Sequence, residues 1–193
     1  MNSPLDAVGW PVHTERLVLR RATPADARAV WGYRRLDEVS RWITAAPADF
    51  EQFEEHGFDR ERLGQAVLVE HDGTVIGDVM IRVVDGWGQV EVVEQARGVQ
   101  AELGWVLDPR HQGQGYATEA LTEVVRICFE VLAVRRVTAA CFAANEASWR
   151  LMERLGMRRE THTVRESLHR TEGWLDAYEY ALLADEWRER AGR

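Results

Sequence analysis

The sequence contains no lysine, so all 24 of its basic residues are arginines. That absence excludes a P-loop, whose G-x-x-x-x-G-K-S/T pattern places a lysine on the nucleotide phosphates. Acidic residues number 32, which gives a formal net charge of −8. A nucleic acid is therefore not expected as a partner, since its phosphate backbone selects basic surfaces. No apolar run approaches the roughly 18 residues of a membrane-spanning helix, so no membrane partner is expected either.

Cysteine is scarce, and nothing resembles a secretion signal. Cys128 and Cys141 lie in apolar stretches, where they are expected to be buried, reduced thiols. The first residues, MNSPLD, lack the positive patch and apolar core of a signal peptide. None of the six histidines pairs with a cysteine or carboxylate at zinc-ligand spacing, so no metal is expected. These features predict a single cytoplasmic domain over residues 1–193, with residues 1–13 as a loose leader.

Local patterns predict three further elements. A second helix is expected from about Pro47 to Leu63. The turn signal His71-Asp72-Gly73, between the apolar runs 65–70 and 74–84, predicts a hairpin. The β-prone valines at positions 90, 92 and 93 favour extra strand within residues 85–99.

The most informative segment is RHQGQGYATE, residues 110–119, which stands between a strand-like and a helix-like run. Residues 101–108 are typical of a strand, and residues 116–130 are typical of a helix. Gly113 and Gly115 come just before the first helical turn. Bare N–H groups at a helix start, together with the helix dipole, form a site for a phosphate or pyrophosphate group.

Two further phosphate-binding patterns can be compared with this segment. A dinucleotide fingerprint fits poorly, because Thr118 follows where a third glycine is needed. The next predicted strand, residues 136–142, also leads to Asn145 without a carboxylate for a ribose. The pattern Q-x-x-G-x-A is matched by Gln112, Gly115 and Ala117.

Four segments in order resemble the GNAT superfamily of N-acetyltransferases, and in particular its RimJ/RimL-like branch, which acetylates ribosomal-protein N-termini. Residues 112–117 resemble the acyl-CoA pyrophosphate loop, and residues 14–20, TERLVLR, the first strand. Residues 145–157 resemble the fourth helix and its end, and residues 176–180 the last strand. The resemblance implies one α/β GNAT domain, whose mixed, mostly antiparallel sheet has about six to seven strands flanked by about four helices.

The resemblance also implies acetyl-CoA as the cosubstrate. Its pantetheine arm would pair with the strand around Val106 like an added strand, and a backbone N–H there would polarise the thioester oxygen. Gly104, inside that strand, indicates a bulge or a close approach. Asn145 would bind pantetheine, and arginines would add positive charge, although any one arginine could equally be a solvated surface residue. The residues assigned to the cosubstrate are Trp105, Val106, Leu107, Arg110, Gln112, Gly113, Gln114, Gly115, Tyr116, Ala117, Asn145 and Arg150.

Glu102 is the candidate general base, because it alternates with the apolar residues of the same strand and can take a proton directly or through water. The alternative is an ordinary solvated carboxylate. Many relatives protonate the departing thiolate with a tyrosine, but this chain has Met152 there, which cannot donate a proton. Ser148, one turn earlier, is the candidate replacement. Its alternatives are a water molecule as the acid and a purely capping role beside Asn145.

The acceptor is expected to be a primary amine. Acidic residues in the predicted second helix and in residues 85–102 favour a cationic one, so a peptide N-terminus, an amino acid or a small cationic amine all fit. The candidates for lining its site are Trp31, Trp42, Asp176 and Tyr178, although aromatic residues more often pack in cores. A catalytically impaired CoA-binding sensor is the alternative function, and a homodimer is left open.

Overall fold

The structure is a computed structural model and describes residues 3–191. Within these residues the chain forms eight strands: β1 Val12–His13, β2 Val18–Arg21, β3 Ala66–His71, β4 Thr74–Val84, β5 Gln100–Leu107, β6 Arg136–Phe142, β7 Arg158–His169 and β8 Gly173–Leu183. The same residues form seven α-helices: α1 Ala27–Arg34, α2 Asp37–Ser40, α3 Phe50–Gly57, α4 Arg60–Leu63, α5 Tyr116–Arg126, α6 Glu146–Arg154 and α7 Ala184–Ala191. The strands make one sheet in the order β1-β2-β3-β4-β5-β6-β8-β7.

The predicted α/β class with a mixed sheet is confirmed, but both element counts were too low. The additional strand is β1, which lies in the stretch predicted to be a leader. The helix count rises because α2 and α4 are single four-residue turns and because α7 follows the last strand. Elements this short carry too little periodicity to be recognised in a sequence.

The prediction of a loose leader is wrong for residues 3–13, and residues 1 and 2 lie outside the described part of the chain. Pro4–Ala7 forms a 3-10 helix. Leu5 and Val8 are buried, with only 1% and 7% of their surfaces exposed. These apolar side chains fix the segment because burying each of them removes hydrocarbon surface from water.

The chain divides into two compact units. The first contains the described residues up to Ile81 together with Gly104–Val124, and the second contains Arg82–Leu103 and the described residues from Val125 onward. Strand β5 therefore begins in the second unit and ends in the first. The single-domain expectation stays a prediction.

In the first unit, β2, β3 and β4 are antiparallel neighbours. The turn between β3 and β4 places Asp72 and Gly73 at φ 48° and 73°, as the predicted hairpin requires. Helices α1 and α3 contribute Tyr33 and Phe53 to a buried cluster that also contains Val106 of β5. The apolar faces of these helices thus cover the C-terminal end of β5, which leads into the segment before α5.

In the second unit, β5 pairs in parallel with β6 only from Gln100↔Arg136 to Glu102↔Thr138. Strand β8 lies antiparallel to both β6 and β7. The extra strand expected within residues 85–99 is absent from this described segment, where Val90–Ala96 instead forms a 3-10 helix. Valine favours strands by packing on a half-buried surface, and Val90 is 86% exposed, so it lacks that packing.

An arginine with two carboxylate partners joins β2 to the start of α1 in the first unit. Arg20 donates to both oxygens of Asp26, at 2.7 and 2.9 Å, and its Nε donates to Glu70 at 2.8 Å. The hydrogen bonds from Arg20 lower the pKa of Asp26 from 3.8 to about 2. Because the folded pKa lies below the unfolded one, this stabilisation is present above pH 3.8 and is lost as the pH falls toward 2.

We therefore expect Asp26→Asn to flatten the fall in stability between about pH 4 and pH 2, since that side chain no longer takes up a proton on unfolding. Urea unfolding at several pH values in this window measures the effect. Asp185→Asn is the matched control, because Asp185 also pairs with an arginine but is 87% exposed. Equal acid slopes in wild type and Asp26→Asn would contradict the assignment.

Candidate active site

The segment after β5 turns sharply before helix α5 begins. Asp108 is buried, and its carboxylate accepts from the backbone N–H of Arg110 at 3.0 Å and from its guanidinium at 2.6 Å. The hydrogen bonds from Arg110 hold the pKa of Asp108 below its usual value. Pro109–His111 then forms one turn of 3-10 helix. Arg110, predicted to bind the cosubstrate, remains 78% exposed at the edge of this turn.

The loop between the 3-10 turn and α5 depends on two glycines. Gly113 and Gly115 have φ values of 74° and 85°, in the left-handed region that side chains rarely adopt. Gln112 and Gln114 are exposed beside them. Tyr116 is buried at the first helical position, where its hydroxyl lies 3.0 Å from Nε2 of His71. The buried Tyr116 therefore attaches the loop to the core, while Gln112 and Gln114 are exposed to solvent.

The backbone donors of this loop have no protein acceptor. The first backbone hydrogen bond into α5 runs from the N–H of Glu119 to the carbonyl of Gly115, at 3.0 Å. Among the described residues, no oxygen accepts from the N–H groups of residues 113–118. These donors stand at the positive end of the helix dipole, which suits a phosphate or diphosphate anion. The assignment of residues 112–117 to the cosubstrate stays a prediction.

Arg16 contacts this loop, a role that no motif in the sequence indicates. Its Nη1 donates to the carbonyl of Gln114 at 3.0 Å, and its Nε donates to Glu119 at 2.7 Å. The guanidinium carbon also lies 4.6 Å from the centre of the Tyr116 ring. Arg16 and Gln114 are 98 residues apart in sequence, so no local pattern could have joined them.

The three strand residues assigned to pantetheine lie in the first unit. Trp105, Val106 and Leu107 line a small apolar recess together with Ala117, Ala120 and Leu121 of α5. Ala117, also assigned to the cosubstrate, is thus brought beside them. Val106 is buried and belongs to the helix-covered core cluster, which fixes the position of its backbone.

The glycine that permits a close backbone approach is Gly77 on β4, whereas the sequence pointed to Gly104. A β-carbon at Gly77 would lie 2.5 Å from the carbonyl oxygen of Val106. A β-carbon at Gly104 would meet only Met80, at an ordinary distance of 3.6 Å. Glycine spacing alone could not distinguish these positions, because the close contact comes from a different strand.

Glu102, the candidate base, lies at the last β5–β6 pair, opposite Thr138. Its Oε2 accepts a hydrogen bond from Arg82 of β4 within the second unit. Both side chains remain accessible, at 39% and 48% exposure. The carboxylate is therefore reachable from solvent and is ion-paired with Arg82, and its role as the base stays a prediction.

Asn145 begins α6 as predicted. Its side-chain oxygen accepts from the backbone N–H of Ser148 at 3.3 Å, and Gly156 with φ 81° follows the helix end. Ser148 is half-buried on the first turn. Met152 is fully buried, so this position belongs to the core and offers no proton donor to a bound molecule.

Arg150 of α6 is exposed and engaged with its own helix. Its guanidinium pairs with Glu146 at 2.8 Å and lies 5.2 Å from the centre of the Trp149 ring. An i, i+4 pair of this kind is weak in water, so the arginine can exchange its partner for another anion. Its predicted contact with the cosubstrate stays a prediction.

The four candidate acceptor residues fall into different units. In the first unit, Trp31 packs against Phe53 with ring centres 5.3 Å apart, while Trp42 is covered on one face by Arg41 at 4.5 Å. Packing explains Trp31 without any ligand. Its candidate role stays a prediction, as does that of Trp42.

In the second unit, Asp176 and Tyr178 lie near the start of α6. The Asp176 carboxylate accepts from His162, which lowers its pKa, and its backbone carbonyl accepts from Ala143 at 2.9 Å. The Tyr178 ring lies 6.5 Å from Trp149 and 5.0 Å from His162. The side chain of Asp176 thus has a structural partner already, and Tyr178 belongs to an aromatic cluster.

Residues 3–191 contain neither a cluster of metal ligands nor a membrane-spanning helix. No three histidine, cysteine, aspartate or glutamate side chains in this part of the chain gather closely enough to hold a metal ion. Over the same residues, no helix combines the length and apolar character that crossing a membrane needs.

Residues 16–158 match the sequence model of the Acetyltransferase (GNAT) domain. That match runs from Arg16, through β5, α5 and α6, to Arg158 at the start of β7. The chain belongs to the GNAT acetyltransferase family. The predicted GNAT fold is confirmed, and acetyltransferase activity of the GNAT type follows from family membership.

Two relatives of this GNAT protein are similar to it over almost their whole length. YnaD of Bacillus subtilis (strain 168), an uncharacterised N-acetyltransferase, is 27% identical over 181 residues, which cover 91% of this chain and 98% of YnaD. A solved GNAT-family acetyltransferase from Bacillus anthracis has a TM-score of 0.76 at 27% identity, covering 91% of this chain and 99% of that one.

A more distant structure bears on the predicted branch. RimL, a ribosomal L7/L12 α-N-protein acetyltransferase in complex with coenzyme A, has a TM-score of 0.74 at 18% identity, covering 90% of this chain and 97% of RimL. At this identity RimL shares the fold alone, so membership of the RimJ/RimL-like branch stays a prediction.

We expect Gly77→Ala to destabilise this GNAT protein by about 1–3 kcal/mol, because the new methyl group must displace the Val106 backbone from its packed position. Gly104→Ala is the matched control on the neighbouring strand. Its β-carbon meets only ordinary contacts, so its free energy of unfolding should stay within about 1 kcal/mol of wild type. Urea unfolding of both variants measures the difference, and equal stabilities would contradict the close approach at Gly77.

Proposed function

We propose that this GNAT protein transfers an acetyl group from acetyl-CoA to a primary amine, by direct attack of the amine in a ternary complex. The observation that carries the proposal is the row of unpartnered N–H groups over residues 113–118. A diphosphate can accept several such hydrogen bonds at once while the helix dipole favours its charge. The left-handed glycines keep side chains away from the same face.

The residues that would hold acetyl-CoA fit its chemistry in two ways. The loop of residues 112–117 supplies backbone donors for the diphosphate, and Trp105, Val106 and Leu107 supply an apolar strand for the pantetheine arm. Asn145 and Arg150 in the second unit, and Arg110 beside the loop, are proposed as further polar contacts. When bound, the thioester supplies an acyl carbon that an amine can attack.

Glu102 is proposed as the base for that attack. A protonated amine must lose a proton before its nitrogen can bond to the acyl carbon, and a carboxylate can accept this proton directly or through a water. Oε2 is engaged by Arg82, so Oε1 is the oxygen that we assign to the proton. Arg82 fixes the orientation of the carboxylate.

Ser148 is proposed to protonate the sulfur as the carbon–sulfur bond breaks, with water as the alternative acid. Its hydroxyl lies on the first turn of α6, and the buried Met152 cannot serve. The products are an N-acetylated amine and CoA with a free thiol. The attacking nitrogen loses its second proton as the amide forms, and that proton restores the Ser148 hydroxyl, so the acyl group and both amine protons are accounted for.

For the acceptor we propose an α-amine, such as a peptide N-terminus or an amino acid. Its reference pKa is about 2.5 units below that of a lysine side chain, so one modest base can deprotonate it more readily. RimL, whose fold this chain shares, acetylates the N-terminus of a ribosomal protein. A RimJ/RimL-like role is proposed on that likeness, and a cytoplasmic location and a homodimer stay predictions.

The direct experiment is a thiol-release assay with acetyl-CoA and a panel of peptide N-termini, amino acids and small cationic amines. We expect turnover with at least one α-amine, and a lower kcat/KM for amines that carry only a side-chain-like ammonium group. Saturable acetyl-CoA binding without turnover of any amine would favour the impaired sensor, which is the alternative that Met152 suggests.

Glu102→Gln should lower kcat by about 100-fold or more, because the amide cannot accept the proton. Ser148→Ala should cost less, about tenfold, since water can replace the hydroxyl. Glu130→Gln, an exposed acidic position paired with Arg126, is the matched control and should retain wild-type kcat. Unchanged kcat in both Glu102→Gln and Ser148→Ala would contradict the proposed roles.

A further inference from the structure

A carboxylate stands at the same helix end that is proposed to receive the diphosphate. Glu119 lies in the first turn of α5, and its side chain is only 16% exposed. A negative charge there is stabilised by the helix dipole in the free protein. For a bound diphosphate, however, it is a nearby like charge that competes for the same positive potential.

Three hydrogen bonds and a further ion-pair contact from one short segment engage this carboxylate. Thr14 donates its hydroxyl to Oε1 at 2.6 Å, and the backbone N–H of Arg16 donates to the same oxygen at 2.8 Å. The guanidinium of Arg16 binds Oε2 through Nε and Nη2, both at 2.7 Å. Burial raises the pKa of Glu119, but these hydrogen bonds outweigh burial and hold it below its usual value. The carboxyl group is thus ionised and fully engaged.

The same guanidinium also fixes the loop itself. Its Nη1 donates to the carbonyl of Gln114, between the two left-handed glycines. Its Nη2 lies 3.3 Å from the position that a β-carbon on Gly115 would occupy. Tyr116 supports it from one side, with the ring centre 4.6 Å away. Arg16 therefore connects the carboxylate, the loop backbone and the first helical residue.

We propose that Arg16 is a positioning residue for the diphosphate: it neutralises and holds the Glu119 carboxylate beside the donors of residues 113–118, so that the bound anion meets no uncompensated negative charge there. The inference rests on the proposed use of acetyl-CoA. It makes Arg16 and Glu119 a coupled pair: losing the arginine exposes the diphosphate to an uncompensated carboxylate, and losing both charges removes that repulsion.

The test is a double-mutant cycle on the dissociation constant of acetyl-CoA, measured by calorimetry with Arg16→Gln, Glu119→Gln and the double variant. We expect Arg16→Gln to weaken binding about tenfold at low salt, because a unit charge near the anion is lost and another is unmasked. Glu119→Gln alone should bind within about threefold of wild type, since it removes a repulsion and a partner together. The double variant should recover most of the affinity lost in Arg16→Gln.

Two readouts separate this role from a structural one. The tenfold loss in Arg16→Gln should shrink at high salt, because ions screen a repulsion between partly exposed charges. Arg188→Gln is the control, since it makes the same change in net charge at a pair with Asp185 on α7 and should bind like wild type. Thermal unfolding of each variant shows whether the fold is retained.

Wild-type affinity in Arg16→Gln would overturn the inference while leaving the proposed function intact. A double variant as weak as Arg16→Gln would also overturn it, because the loss would then not come from the unmasked carboxylate. Failure of the wild-type protein to bind acetyl-CoA would overturn both this inference and the proposed function.

Discussion

The feature on which the proposed binding depends most is the set of unpaired backbone N–H groups at the start of helix α5. A helix that begins in solvent leaves its first N–H groups without acceptors, and here the two left-handed glycines turn further N–H groups of the loop outward beside them. Asp108, directly after β5, is buried, and so is Tyr116, the first residue of α5. The surrounding fold therefore holds a set of donors whose natural partner is a diphosphate.

An acidic protein that binds a polyanion needs a local region of positive potential, because its net charge of −8 repels the ligand. In the first unit, Arg16 is paired with Glu119 and Arg110 with Asp108; in the second unit, Arg82 is paired with Glu102 and Arg150 with Glu146. Such pairs contribute little net charge. The attraction then comes mainly from backbone dipoles, and the arginines act by cancelling acidic side chains and by fixing orientation.

The sequence was informative wherever a few consecutive residues determine the geometry. The Asp72–Gly73 turn, the cap at Asn145 and the loop of residues 112–117 all follow from local backbone and hydrogen-bonding preferences. The sequence was uninformative about contacts between segments that are far apart in the chain. The Arg16–Gln114, Arg82–Glu102 and Gly77–Val106 contacts form only when the chain folds. The valines of residues 85–99 misled for a related reason, since their strand preference depends on a packing surface that the fold does not provide.

The central claim is that bare N–H groups at the start of α5 bind the diphosphate of acetyl-CoA. Calorimetric titration of wild type and Gly115→Glu tests it most directly, with Gly173→Glu as a control because that glycine also has a left-handed φ, of 77°, in open space. We expect wild type and Gly173→Glu to bind acetyl-CoA saturably and one-to-one, and Gly115→Glu to lose this binding. No saturable binding by wild type, or unchanged binding by Gly115→Glu, would contradict it.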